Sequence, residues 1–289
     1  MIQVCDTIMG TGKSSAAINY MNEHSDDKFI YITPYLDEAE RIKNGCPDMN
    51  FVEPSDKIKE FGFKKSEHTA FLIRNGANIT TTHQAFKRYT AEMLDDIREH
   101  GYILLIDENV DILERYSISN VDLDMLVSCG YAKCDDGTYS LGDVEYTGVA
   151  FKEVVSFLKI RDLIYVDRGD NTGLYYWILP PSLLTSFKDV IIMTYLFDGQ
   201  SLHHMLKMCN IPYEYIGIRK RGELDFCFCE YPGYTPDYVY NLPNMLHILE
   251  NDKLNSVGDE HSALSKSWFE QDKGDVEQLK RNISNIMKN

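Results

Sequence analysis

Positive charge is scarce in this sequence. Lys and Arg number 29 against 45 Asp and Glu, which leaves a formal net charge of −16 over 289 residues. A field that negative repels a polyanion, so nucleic-acid binding has to rest on a local surface or on residues beyond this chain. Long apolar runs are missing as well. None approaches the roughly 20 residues that a helix needs to span a bilayer. Nor does a basic stretch with an apolar signal region open the sequence, since residues 1–9 run straight into a glycine loop. The expectation is a cytoplasmic protein with no membrane partner. Cysteine is modest and odd in number, at seven, which argues for reduced thiols and against a disulfide framework. Cys129 and Cys134, with four residues between them, fit zinc spacing loosely, whereas Cys227-x-Cys229 does not fit. Phe226-Cys227-Phe228-Cys229 alternates as a strand would, so small buried thiols are the expectation there.

What is present is a globular composition. The chain is 44% hydrophobic and 26% charged, enough apolar residues to bury a core. Strand and helix patterns alternate along it. Ile2-Gln3-Val4-Cys5, Phe29-Ile30-Tyr31-Ile32, Tyr102 to Ile106, Asp189 to Thr194 and Ile211 to Ile218 read as strands. Unbroken apolar runs of this kind suit a parallel sheet covered on both faces. Helices are expected at Ser14–His24, Asp37–Lys43 and His83–His100, with short strands at Ala70–Ile73 and Asn78–Thr81 around Asn75-Gly76. From about 122 to 185 the pattern loosens into an insertion. There Cys134 to Thr138 reads as a turn, Phe151 to Leu158 as a helix, and Leu163–Val166 pairs with Leu174–Ile178 as a hairpin across Gly169-Asp170-Asn171. After Arg221-Gly222 a strand from Leu224 to Cys229 is expected, then a Tyr/Pro/Gly loop and helices. The fold class is α/β, with helices on both faces of a mostly parallel sheet.

Two segments carry chemistry. Thr7-Ile8-Met9-Gly10-Thr11-Gly12-Lys13-Ser14 nearly matches G-x-x-x-x-G-K-[ST], the loop that cradles phosphates, with Thr7 in place of the first glycine. The physical logic survives that replacement. A strand ends, a glycine-rich turn aims backbone N–H groups inward, and a helix begins with its positive dipole end at the same point. Lys13 is expected on the β- and γ-phosphates and the Ser14 hydroxyl on Mg²⁺. Met9, Gly10, Thr11, Gly12 and Ser15 complete the ATP cradle. The second segment is the buried strand Ile103 to Ile106, which ends in Asp107-Glu108. Carboxylates at the carboxyl end of a parallel strand sit where such folds bind ligands. Asp107 would hold Mg²⁺ through its water shell, and Glu108 would orient the attacking water. Lys13, Asp107 and Glu108 are therefore the expected catalytic residues, with ATP and Mg²⁺ as the cofactors.

The order of these segments resembles a known family. Glycine loop, Thr33-Pro34, Thr80-Thr81-Thr82-His83-Gln84, Asp107-Glu108-Asn109-Val110 and Met193-Thr194-Tyr195 follow motifs I, Ia, Ib, II and III of superfamily-two DExx helicases, of the DEAD/DEAH type found in bacteriophages. That family tolerates a small residue at the position of Thr7. The resemblance implies a P-loop NTPase with a RecA-like sheet over residues 1–222, carrying the α+β insertion. It implies that Thr33, Pro34, Thr81, Thr82 and His83 touch a nucleic-acid backbone, DNA ranked ahead of RNA, and that Thr194 couples the ATP state to that contact. Thr194-Tyr195-Leu196 departs from the family's Ser/Thr-Ala-Thr. Helicases of this type need a second RecA-like domain that supplies an arginine finger. Residues 223–289 then read as a linker and mainly helical beginning of that domain, with Leu264 to Phe269 resembling its opening, and the chain as the amino-terminal part of a longer protein acting in phage replication or recombination in the host cytoplasm.

The residues also admit plainer readings. Thr81 to Gln84 would serve equally as a helix cap, and Lys87, Arg88 and Arg219-Lys220-Arg221 as solvated charge. Two other functions fit the loop and the carboxylates: the ATPase motor of a phage terminase, and a non-catalytic module whose partner docking is gated by ATP.

Overall fold

Alternation with period two divides the sheet residues between two cores. The computed structural model describes residues 1–62, 64–167, 173–222, 225–231, 265–270 and 274–288. The strands β1 (Ile2–Asp6), β2 (Phe29–Thr33), β3 (Ile79–Thr82), β4 (Ile103–Asp107), β10 (Asp189–Thr194) and β11 (Tyr213–Lys220) run parallel, and β12 (Phe226–Glu230) is antiparallel to β11. Ile30, Ile32, Leu104, Ile106, Val190 and Ile192 face one apolar cluster. Their neighbours Phe29, Tyr31, Ile103, Leu105, Ile191 and Met193 face the other. Because successive strand residues point to opposite faces, runs apolar at every position require helices on both sides. Against the first face pack helices α3 (Lys65–Arg74), α5 (Ala91–His100) and α9 (Ser201–Met208), and against the second α1 (Lys13–Glu23) and α2 (Leu36–Gly45).

The strand order is β12-β11-β1-β10-β4-β2-β3. From β1 the chain passes through α1 towards β2, across the positions of β10 and β4. From β10 it passes through α9 to β11, on the other side of β1. The connections leaving these adjacent strands therefore diverge, which makes the carboxyl ends of β1 and β10 a topological switch point.

The loosened segment is a separate antiparallel sheet of order β5-β9-β8-β7-β6, from β5 (Leu113–Tyr116) through β6 (Ala132–Asp135), β7 (Thr138–Leu141) and β8 (Leu163–Asp167) to β9 (Gly173–Ile178). Its own core joins Leu123, Leu126, Val154, Leu158, Leu163 and Trp177. The sheet starts at Leu113, upstream of the expected 122, because β5 pairs with β9 in the register Leu113↔Ile178. The alternately exposed residues of β5 give no apolar run to read. Asp136 and Gly137 both have positive φ, the backbone that a two-residue hairpin demands.

Two local expectations are corrected. Ala70 to Ile73 lies within α3, not in a strand; His68, Thr69, Leu72 and Ile73 are buried at helical spacing while Phe71 is exposed. His83 to His100 is two helices, α4 (His83–Phe86) and α5, since the Thr90 side chain accepts from the N–H of Met93 and caps a new start. The turn at Gly169-Asp170-Asn171, Leu224, the Tyr/Pro/Gly loop from Pro232 and Leu264 lie outside the described residues.

The chain divides into two compact units, Met1–Pro232 and Gly233–Asn289. Strand β12 pairs with β11, so the first unit runs past residue 222. The second unit contributes α10 (Lys266–Phe269), capped by Ser265, and α11 (Gly274–Lys288). Among the described residues no helix is long and apolar enough to cross a membrane.

Candidate functional site

The loop after β1 is braced by its own side chains. Gly10 and Gly12 have φ of 78° and 90°, conformations that cost little only for glycine. The Thr7 hydroxyl lies 2.9 Å from that of Thr11, which donates to the Ile8 carbonyl at 2.9 Å. The Thr7 N–H donates to the Thr194 carbonyl of β10 at 3.1 Å. The Thr7 hydroxyl thus braces the loop against Thr11, a bond that glycine would lack, while the tie to the neighbouring strand is made by the backbone and would survive in glycine. Lys13 Nζ donates to the carbonyls of Thr7 (2.7 Å) and Ile8 (3.2 Å). Burial lowers its pKa, opposed by the nearby charges of Cys5, Asp107, Asp6 and Glu108.

Across the switch point the Asp6 carboxylate accepts from the N–H groups of Leu196 (2.8 Å) and Phe197 (3.0 Å). This fixes the turn after β10. Beyond it β4 delivers Asp107, whose pKa is raised to about 6 by burial and by the charges of Glu38 and Glu108, with Lys13 opposing. Glu108 is exposed and holds φ at 65°, with its N–H on the Met193 carbonyl at 2.9 Å. A bulky residue in left-handed backbone stores roughly 1–3 kcal/mol of strain, and such residues cluster at functional sites.

These elements enclose a cleft of about 660 Å³. Met9, Gly10, Gly12, Lys13, Ser14, Ser15, Asp107, Glu108 and Thr194 all line it. Thr11 is the member of the expected cradle that braces the loop instead. The cleft also holds residues that sequence reading missed. Glu38 and Arg41 on α2 pair at 3.2 Å, and Arg41 donates to the Ser15 hydroxyl at 3.1 Å. Asn109 and Gln200 present buried side-chain oxygens with no hydrogen-bond partner. Gln200 Nε2 donates to the Thr194 hydroxyl at 2.7 Å. Phe226 of β12 forms a wall. Beneath the cleft lies the Tyr31 hydroxyl, likewise buried without a well-formed hydrogen bond. Its pKa is pushed far up by burial and the Asp107 charge, and Ser14 is a neighbour. Only Asn109, beside Asp107-Glu108, carried a signal in sequence; the others reach the cleft through the fold.

The expected polymer-contact residues are arranged differently. Thr33 and Thr82 are register partners at the carboxyl ends of β2 and β3, so the fold does bring those segments together. However, Thr33 and Thr81 are 1% and 2% exposed. Pro34 is half-buried. The Thr82 hydroxyl accepts from the Ala85 N–H at 3.3 Å and caps α4. His83 Nε2 lies 2.8 Å from the Asp107 carbonyl. A carbonyl can only accept, so Nε2 carries the proton, and burial lowers the His83 pKa and favours the neutral ring. Lys87 is buried, not solvated; its carbonyl accepts from Arg161. Beside Thr82 opens a second cleft of about 550 Å³, lined by Lys64, Lys65 and Arg88 with Thr69, Gln84 and Tyr89.

Over 298 aligned positions the chain is 32% identical to the SPbeta prophage-derived uncharacterized protein YonV of Bacillus subtilis (strain 168), a match that takes in all of this chain and 71% of that protein. No family model matches the chain, and no solved structure matches it.

Proposed function

The chain belongs to the family of this prophage-derived protein, and on that premise we propose that it is a Mg²⁺-dependent ATPase of the P-loop, RecA-like kind, the motor portion of a phage-type nucleic-acid helicase or translocase. One observation carries the reading. Lys13-Ser14 and Asp107-Glu108, far apart in sequence, line one cleft at the carboxyl ends of β1, β10 and β4, where doubly wound sheets bind ligands.

The donor set fits a hard divalent cation. Half-buried Asp107 lies near Glu38 and Glu108 with Lys13 as the opposing charge, and its pKa is still raised; Asn109 and Gln200 hold orphaned oxygens in the same cleft. Among the described residues no group of three or more His, Cys, Asp or Glu could hold a metal by itself. That suits Mg²⁺, which keeps several waters and takes its other ligands from substrate phosphates. When bound, Mg²⁺ neutralises charge on the β- and γ-oxygens. Ser14 and Asp107 would hold it. Lys13 would exchange its two loop carbonyls for phosphate oxygens, and the loop N–H groups would take the remainder. Glu108, exposed in the cleft, would orient a water for in-line attack; the water oxygen bonds the γ-phosphorus as the bond to the β-bridging oxygen breaks, releasing ADP and phosphate. Thr194, held by Gln200, would report the state of the cleft to the turn after β10.

The polymer would lie along the basic cleft of Lys64, Lys65 and Arg88, a local positive surface on an acidic chain. His83 links the two regions through its bond to the Asp107 carbonyl. The prophage origin of the relative is consistent with a phage-type protein. An ATP-gated binding module is the second reading, favoured by one observation. Among the described residues the arginine lining the cleft is Arg41, already engaged with Glu38 and Ser15, so no free guanidinium stands ready for transition-state charge.

Steady-state ATP hydrolysis with Mg²⁺, with and without single-stranded DNA or RNA, separates the two. A motor gives Lys13-dependent turnover that rises with polymer. Lys13-dependent ATP binding with no turnover on either polymer would favour the gated module.

A further inference from the structure

Phe226 stands where it can do more than fill space. Its ring lies so close to the second glycine of the loop that a Cβ on Gly12 would fall 2.5 Å from ring carbon Cδ1. The ring is half-buried, and it lines the cleft with Gly12, Ser14 and Ser15. Its backbone is held from two sides. Strand β12 pairs with β11 in the register Lys220↔Phe226, and Asn19 of α1 donates to the Phe226 carbonyl at 2.9 Å and to Asp225 at 3.0 Å. The Lys220 ammonium sits 5.8 Å from the ring centroid, within reach of a cation–π contact. A rigidly mounted aromatic ring, open to a cleft that offers phosphate donors nearby, is a stacking surface for a planar base.

We propose that Phe226 is the base platform of the nucleotide site, and that the ligand is a nucleoside triphosphate whose base stacks on this ring while the loop holds its phosphates. The inference rests on the nucleotide reading above and deepens it. Strand β12, appended antiparallel at the edge of the sheet, then has a task that the parallel strands do not perform. Lys220 belongs to the basic run Arg219-Lys220-Arg221. Arg221 is engaged with Glu23 at 3.0 Å, whereas Lys220 polarises the platform.

The test is calorimetric titration of the full chain with Mg·ATP and, separately, with Mg·tripolyphosphate, which has the phosphates and no base. Wild type is compared with Phe226→Ala, Phe226→Leu, Phe226→Trp and Lys13→Ala. The leucine variant keeps apolar mass against Gly12 without a π-face. Platform action predicts that alanine and leucine weaken ATP by roughly fivefold to a hundredfold, leave tripolyphosphate within about twofold, and that tryptophan restores ATP. Equal weakening of both ligands, or of neither, would overturn the platform while Lys13-dependent tripolyphosphate binding kept the phosphate site intact. Failure of both ligands to bind wild type in a Lys13-dependent way would overturn the nucleotide reading and the platform with it.

Discussion

Two clefts open beside the carboxyl ends of the parallel strands, and they are built on opposite electrostatic principles. The larger sets Lys13 and Arg41 against Glu38, Asp107 and Glu108. The smaller is lined by Lys64, Lys65 and Arg88 and no carboxylate, with Lys65 also paired to Glu53 at 3.6 Å. The first is suited to a cation and the oxygens it bridges, the second to a polyanion with charge of its own. In a chain of net charge −16 such a local reversal of sign is the kind of surface that nucleic-acid binding would need. Of the threonines expected to make that contact, Thr33 and Thr81 are buried strand residues and Thr82 caps a helix.

The largest expected effect bears on the acidic cleft. Gly12→Ala places a Cβ 2.5 Å from the Phe226 ring at a φ of 90°. Left-handed strain costs about 1–3 kcal/mol of stability, and the added Cβ forces loop and ring apart, so ATP affinity should fall by roughly tenfold or more. Calorimetry on a variant whose melting shows it folded would check this; unchanged affinity would mean that the loop does not hold the ligand. Next is the basic cleft. Replacing Lys64, Lys65 and Arg88 together by alanine should flatten the salt dependence of DNA binding by about one log–log unit per lost contact, with basal hydrolysis unaltered. An unchanged slope would move the polymer elsewhere.

How legible each cleft was in sequence follows from how it is assembled. Lys13-Ser14 sits where a glycine loop after a strand opens a helix, and Asp107-Glu108 at the end of an apolar strand, so a one-dimensional pattern gives both residue and position. Lys64 and Lys65 open a helix whose residues 70–73 read as a strand, which hid the start of α3. Glu38 and Arg41 reach the cleft from a helix and Gln200 from the cap of another; Phe226 sits in an edge hairpin, and its approach to Gly12 is a long-range event. Tyr31 looked like any apolar member of β2, because period two tells which face a residue takes but not what lies there. The turn of Thr81 and Thr33 into the core has the same origin.

Smaller effects refine the contrast. Asp107 binds its proton more tightly in the fold, at about 6, than at its ordinary value of 3.8. The stability this gives is complete below about pH 4 and is lost as pH rises through about 6. Without Mg²⁺, Asp107→Asn should therefore melt roughly 3–6 °C above wild type at pH 7.5, with the gap closing towards pH 4. A gap that persists at low pH would assign the gain to packing. Thr82→Ala should cost about 1 kcal/mol of stability as a lost cap. Thr81→Val, which removes a buried hydroxyl without a partner, should stay within about 0.5 kcal/mol and leave polymer-stimulated turnover unaltered. A loss of stimulation in Thr81→Val would restore the threonines as polymer contacts.

The most direct measurement is phosphate release from Mg·ATP set beside ATP affinity in the wild-type chain, Lys13→Ala and Glu108→Gln. A P-loop ATPase requires that Lys13→Ala lose binding, and that Glu108→Gln bind ATP within about threefold of wild type while turning over roughly 10²–10⁴ times more slowly. ATP bound equally well by Lys13→Ala, or phosphate released at the wild-type rate by Glu108→Gln, would contradict the assignment of these two residues and of the cleft between them.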